Sequence, residues 1–233
     1  MIRTMTRSLA LAGCLLTLPT QAALPENVLL QREAMRSFTL MLQAQGEGMH
    51  ARQRQALQDS ISQLQLTGPA VAHGYPQAIM STLDSNDAGQ QPSAGQMDAL
   101  YRQLLEVIEA LHQPDADAPY LSVLLTEYLT LRYAFASYIG LPASTESGNH
   151  YYQKEYSELL EQLDEQLTRI LREAADNSLV ARWAMLHHAL SDMHEGWTRT
   201  RSGNSFAPIV VILNGRALSD ELSSRLPAAD PTP

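Results

Sequence analysis

Between residues 156 and 174 the apolar side chains step by four and three: Tyr156, Leu160, Leu163, Leu167, Ile170, Ala174. At 3.6 residues per turn that spacing lines them up on one side of an α-helix, and a strand would scatter them over both faces. Glu155, Glu158, Glu161, Glu165, Arg169 and Arg172 fall on the remaining faces, so 149–175 reads as one amphipathic helix.

The same step recurs through most of the chain. Leu30, Ala34, Phe38, Leu42, Met49, Leu57, Ile61 and Leu64 mark 25–66, which Gly46 and Gly48 divide into two helices or one kinked helix. Met97, Leu100, Leu104, Val107 and Leu111 mark a helix over 96–112, ended by Pro114 and an acidic loop with Asp115 and Asp117. Pro119 opens the next, to about residue 139, whose wide apolar arc (Leu121, Leu124, Leu125, Tyr128, Leu131, Phe135, Tyr138) predicts the most buried helix. Leu179, Trp183, Leu186, Leu190, Met193 and Trp197 make a further seam, with Asn177 or Ser178 as its cap. Pro208 starts a last helix through Val211, Leu218 and Leu222. Its Ile209–Leu213 run suits a strand equally, but no second strand exists to pair with it.

Residues 67–95 differ in composition. Thr67-Gly68-Pro69, His73-Gly74-Tyr75-Pro76 and Ser85 to Gly95 carry turn chemistry, so this stretch reads as a long Gly/Pro/Ser-rich loop, disordered rather than functional, with room for two helical turns at 77–83. The expected fold is all-α: an up-and-down antiparallel bundle of five to seven helices crossing at about 20°, forming a single domain over 23–226 with a disordered tail at 227–233.

The N-terminus predicts export. Arg3 and Arg7 precede an apolar stretch from Leu9 to Leu18, and Thr20 and Ala22 supply the small residues of a cleavage site after Ala22. The periplasm is the expected compartment. Leu11-Ala12-Gly13-Cys14 also resembles a lipobox, the minority reading, which would anchor Cys14 to the outer membrane through lipid. Cys14 is the sole cysteine, so a chain cut after Ala22 has no thiol, no disulfide and no Cys-ligated metal. Without the leader, 14 basic residues face 25 acidic ones, a net charge of −11. That disfavours nucleic acid and anionic lipid as partners, and no apolar run beyond the leader is long enough to span a bilayer.

Two residue groups carry candidate chemistry. Tyr128, Arg132 and Tyr138 sit on the most apolar segment, where a guanidinium must find a partner. Arg132 either pairs with Glu127, a later glutamate or a carbonyl, or closes a small-ligand pocket lined by the tyrosines. His187, His188 and His194 lie on one segment, but the seven-residue gap from His187 to His194 spans about 10 Å, too far for one metal without a ligand from another helix. The sequence contains no G-x-S-x-G, H-E-x-x-H, P-loop or G-x-G-x-x-G. The expectation is a non-enzymatic exported bundle, with no cofactor, that binds a protein partner or small ligand. The alternative is a histidine-based metal- or cofactor-binding protein.

Overall fold

A computed structural model describes residues 24–143, 147–174, 176–191 and 207–226. These residues form α1 (Glu26–Glu47), α2 (Ala51–Thr67), α3 (Gly74–Asp87), α4 (Ala94–Leu111), α5 (Pro114–Asp117), α6 (Leu121–Ile139), α7 (Tyr156–Ala174), α8 (Asn177–Ser191) and α9 (Pro208–Arg225). Short 3-10 turns occupy Ala70–His73, Ala118–Tyr120 and Tyr151–Gln153. No strand occurs among the described residues, and the helices pack around one hydrophobic core. None of them is long and apolar enough to cross a membrane. The leader, Cys14, His194 and the 227–233 tail lie outside the described residues.

The helix directions follow from side-chain pairs. Glu33 meets Ser60, so α2 returns along α1, and Arg54 meets Asp87, so α3 reverses again. Gln45 contacts Met97, placing the start of α4 at the end of α1. Asp164 meets Trp183, and Arg182 meets Asn214, so α7, α8 and α9 alternate in turn. The topology is up-and-down, as the spacing predicts. Non-neighbouring helices also meet: Arg36 pairs with Glu127 and Glu47 with Tyr138, so α1 and α6 lie side by side in parallel at the centre.

Eight long helices stand where five to seven were expected, for two reasons. Gly48, at a φ of 81° that suits glycine best, breaks 25–66 into separate antiparallel helices. The second reason is α3, which replaces most of the long loop expected at 67–95. Its apolar content is thin, but Tyr75, Ile79 and Leu83 fall on one face and are all buried. The Tyr75 hydroxyl donates to the Ala34 carbonyl at 2.9 Å, so contact with α1 outweighs the local turn signals.

Helix α6 is the most buried, with Ser122 to Ala136 uninterruptedly buried. Glu127 and Arg132 on it do not pair, because five residues along a helix set them about 140° apart. Arg36 of α1 satisfies Glu127, and Arg132 donates to the Lys154 carbonyl at 3.1 Å, the carbonyl option of the sequence reading. The last helix seats against α6 at Gly215. A Cβ there would fall 2.1 Å from Thr130 Oγ1. Gly215→Ala is expected to destabilise the protein by about 1–3 kcal/mol in urea unfolding, despite alanine's helix preference of ~1 kcal/mol, because the overlap forces the two helices apart.

Candidate functional site

The start of α7 differs from its predicted register in a consequential way. Leu160, Leu163 and Leu167 face the core and the glutamates face solvent, as the four-three step requires. The helix nevertheless begins at Tyr156 rather than near 149, and Tyr151–Gln153 form a separate 3-10 turn. Both tyrosines of that turn are buried. The Tyr151 hydroxyl donates to Gln31 Oε1 at 2.9 Å, and the Tyr152 carbonyl accepts from Tyr128 at 2.8 Å, bonds that one continuous helix would not allow.

Beside this turn lies a compact buried polar cluster centred on Asp117. Asp117, 2% exposed, closes α5 and collects four donors. Asn27 Nδ2 donates to Oδ1 at 2.5 Å; Gln31 Nε2 (3.0 Å) and the Gln113 backbone N–H (3.2 Å) donate to Oδ2. His112 Nδ1, 2.5 Å from the same Oδ2, is the fourth. Because a carboxylate only accepts, the hydrogen-bond network assigns a proton to Nδ1. His112 Nε2 then turns its lone pair to His150, whose Nδ1 is 3.0 Å away. The His150 ring stacks on Tyr152, with centroids 5.5 Å apart and planes 13° from parallel, and His112 meets the edge of Tyr152 at 5.6 Å. An Asp–His–His chain thus runs from a buried carboxylate to a half-buried imidazole.

A cavity of about 110 Å³ adjoins it, between α4 and the 151–153 turn, lined by Arg102, Leu105, Glu106, Glu109, Tyr152 and Gln153. Arg102 is tied to Asp98 at 2.5 Å, whereas Glu106 and Glu109 are exposed at the rim. Burial first, then the charges of Glu109 and Asp117, push the Tyr152 hydroxyl up to about 12. The surroundings of that ring are therefore electronegative.

Tyr128 and Arg132 reach this region from behind. Tyr128 is fully buried, bonded to the Tyr101 hydroxyl at 2.7 Å and to the Tyr152 carbonyl. The Arg132 guanidinium holds the Lys154 carbonyl and lies 5.9 and 5.6 Å from the Tyr128 and Tyr156 rings. Neither lines the cavity; together they fix the backbone of 152–154. Tyr138 is not part of the cluster. Its hydroxyl donates to Glu47 at 2.7 Å at the far end of α1, and its ring fills the space that Gly46 leaves open.

The α8 histidines stand apart. His187 meets the Trp183 ring at 5.2 Å and lies 4.0 Å from Asp164, which also accepts from Trp183 Nε1; His188 is exposed. Among the described residues no three His, Cys, Asp or Glu side chains converge as a metal cage. Asp176, not Asn177 or Ser178, caps α8 by accepting from the Ser178 and Leu179 N–H groups, and Arg225 together with those bonds holds its carboxyl below the usual range.

His112, Asp117 and His150 did not stand out in the sequence reading, because they come from three separate segments. One local signal did exist. Glu109-Ala110-Leu111-His112 is a Glu-x-x-His step that sets an acid of the last turn of α4 three residues before the imidazole that ends it, and the same step at Glu47–His50 spans the break between α1 and α2.

Comparison with protein-family models, curated proteins and solved structures finds no match for this chain. What the fold defines is an all-α helical bundle, and function rests on the site itself.

Proposed function

We propose that this chain is an exported, non-enzymatic helical-bundle protein that binds a small organic cation in the cavity between α4 and the 151–153 turn. The observation that carries the reading is the cavity's lining: the Tyr152 side chain and two rim glutamates, against one arginine already committed to Asp98. Aromatic faces and carboxylates both favour cations, and a volume near 110 Å³ suits an alkylammonium or guanidinium head rather than a metabolite of nucleotide size. The Tyr128 and Arg132 bonds to the 152–154 backbone support it by holding Tyr152 in place without ligand. Export is supported by the leader, and the mature protein's mass should correspond to a chain starting at Ala23.

Titration of the full-length chain with methylammonium, guanidinium and tetramethylammonium salts, read by calorimetry and by shifts of the Tyr152 NMR signals, tests the binding. At least one cation should bind, acetate should not, and Glu106→Gln should weaken binding about tenfold. Uptake of acetate as strong as that of the cations, or no cation bound at millimolar concentration, would remove the reading.

A further inference from the structure

The cation cavity leaves the histidine pair behind it without a role. We propose that His112 and His150 form a binding site for a divalent transition-metal ion of borderline softness, of the Zn²⁺ class, held by His112 Nε2 and His150 Nδ1.

Three features carry this. The two nitrogens are 3.0 Å apart. Tetrahedral coordination at the usual metal–nitrogen length sets such atoms about 3.3 Å apart, so the nitrogens need to part by only a few tenths of an ångström, with each ring turning by about 35° to aim its lone pair at the ion. Second, Asp117 already accepts from His112 Nδ1, the carboxylate–histidine arrangement that fixes the ring's tautomer and orientation behind a metal ligand and raises the basicity of the other nitrogen. The carboxylate is itself pinned by Asn27, Gln31 and the Gln113 amide, so the first ligand is oriented before any ion arrives. Third, the second ligand is free to change tautomer. His150 gives Nδ1 to its partner ring, and moving its proton to Nε2 exposes the Nδ1 lone pair to the ion with no net change of protons.

Two protein ligands leave coordination positions for water. Such a site exchanges its ion readily, in contrast to a four-ligand structural site.

The test is calorimetric titration of the full-length, untagged protein with ZnCl₂, with the imidazole NMR signals followed in parallel. One ion per chain is expected, with the His112 and His150 signals shifting together. His150→Phe keeps the stacked ring and leaves every Asp117 bond in place, so the fold should survive, as circular dichroism will show; affinity should fall at least tenfold. His187→Ala with His188→Ala should leave it unchanged. Absence of zinc uptake by the wild type, or undiminished uptake by His150→Phe, would overturn the assignment. Because Glu106→Gln affects only the cation cavity, loss of cation binding and loss of zinc binding are separable results.

Discussion

Asp117→Ala is expected to cost about 3–5 kcal/mol, the largest effect of any single substitution at the site. The carboxylate is buried and answers donors from Asn27, Gln31, Gln113 and His112. Removing it deprives all four at once, and a buried donor without an acceptor costs its desolvation in full. Three elements lose their common anchor, since Asn27 and Gln31 belong to α1, His112 follows α4, and Asp117 ends α5. Thermal unfolding should shift down by roughly 10 °C for a domain of this size. Asp115→Ala provides the control: Asp115 is exposed two residues earlier and should change stability by less than about 0.5 kcal/mol. Equal midpoints for the two variants would show that the Asp117 bonds are dispensable.

The second large effect is alkaline unfolding. Tyr75, Tyr101, Tyr128, Tyr151 and Tyr156 are all buried, and burial raises each hydroxyl above its ordinary value, with Arg132 pulling Tyr101, Tyr128 and Tyr156 part of the way back. A tyrosine raised in the folded chain holds its proton more tightly there than in the unfolded chain. Its contribution is whole below the unfolded value of about 10 and drains away as pH climbs toward the folded value. Each such group removes about 1.4 kcal/mol per pH unit in that window, so five together remove about 7, against a total stability of order 5–15 kcal/mol. The bundle should therefore open cooperatively about one to two units above pH 10, with phenolate absorbance and loss of helical circular dichroism rising on the same curve. Five tyrosines that ionise near pH 10 while the helix signal persists would contradict the burial.

The architecture was legible where a helix has one wet side. In α4 every seam residue from Met97 to Leu111 is buried, and in α7 the leucines and glutamates divide as their spacing requires. It was least legible in α1, where a stripe of four apolar residues suggested an ordinary amphipathic helix. Gln31, Glu33, Ser37, Thr39 and Gln43 are buried too, because α2, α4, α6 and α9 pack against other faces of the helix. Polar residues on a helix read as solvent-facing unless their partners are known, and here the partners are distant in sequence: Asp117 for Gln31, Ser60 for Glu33, Tyr75 for Ser37. The candidate site was hidden for the same reason. Of the six residues singled out beforehand, Tyr128 and Arg132 sit against it as supports, Tyr138, His187 and His188 lie elsewhere, and His194 is outside the described residues.

The parallel pairing of α1 with α6, closed by α9 across both, has a kinetic consequence. Arg36 meets Glu127 some ninety residues away and Asp220 more than 180 away, so the central salt-bridge network is complete only once α9 has docked. A chain folding in order pairs Arg36 with Glu127 once α6 has formed, but its bond to Asp220 waits for the last helix. Folding should be slow for an all-helical domain, because these contacts join residues far apart in the chain.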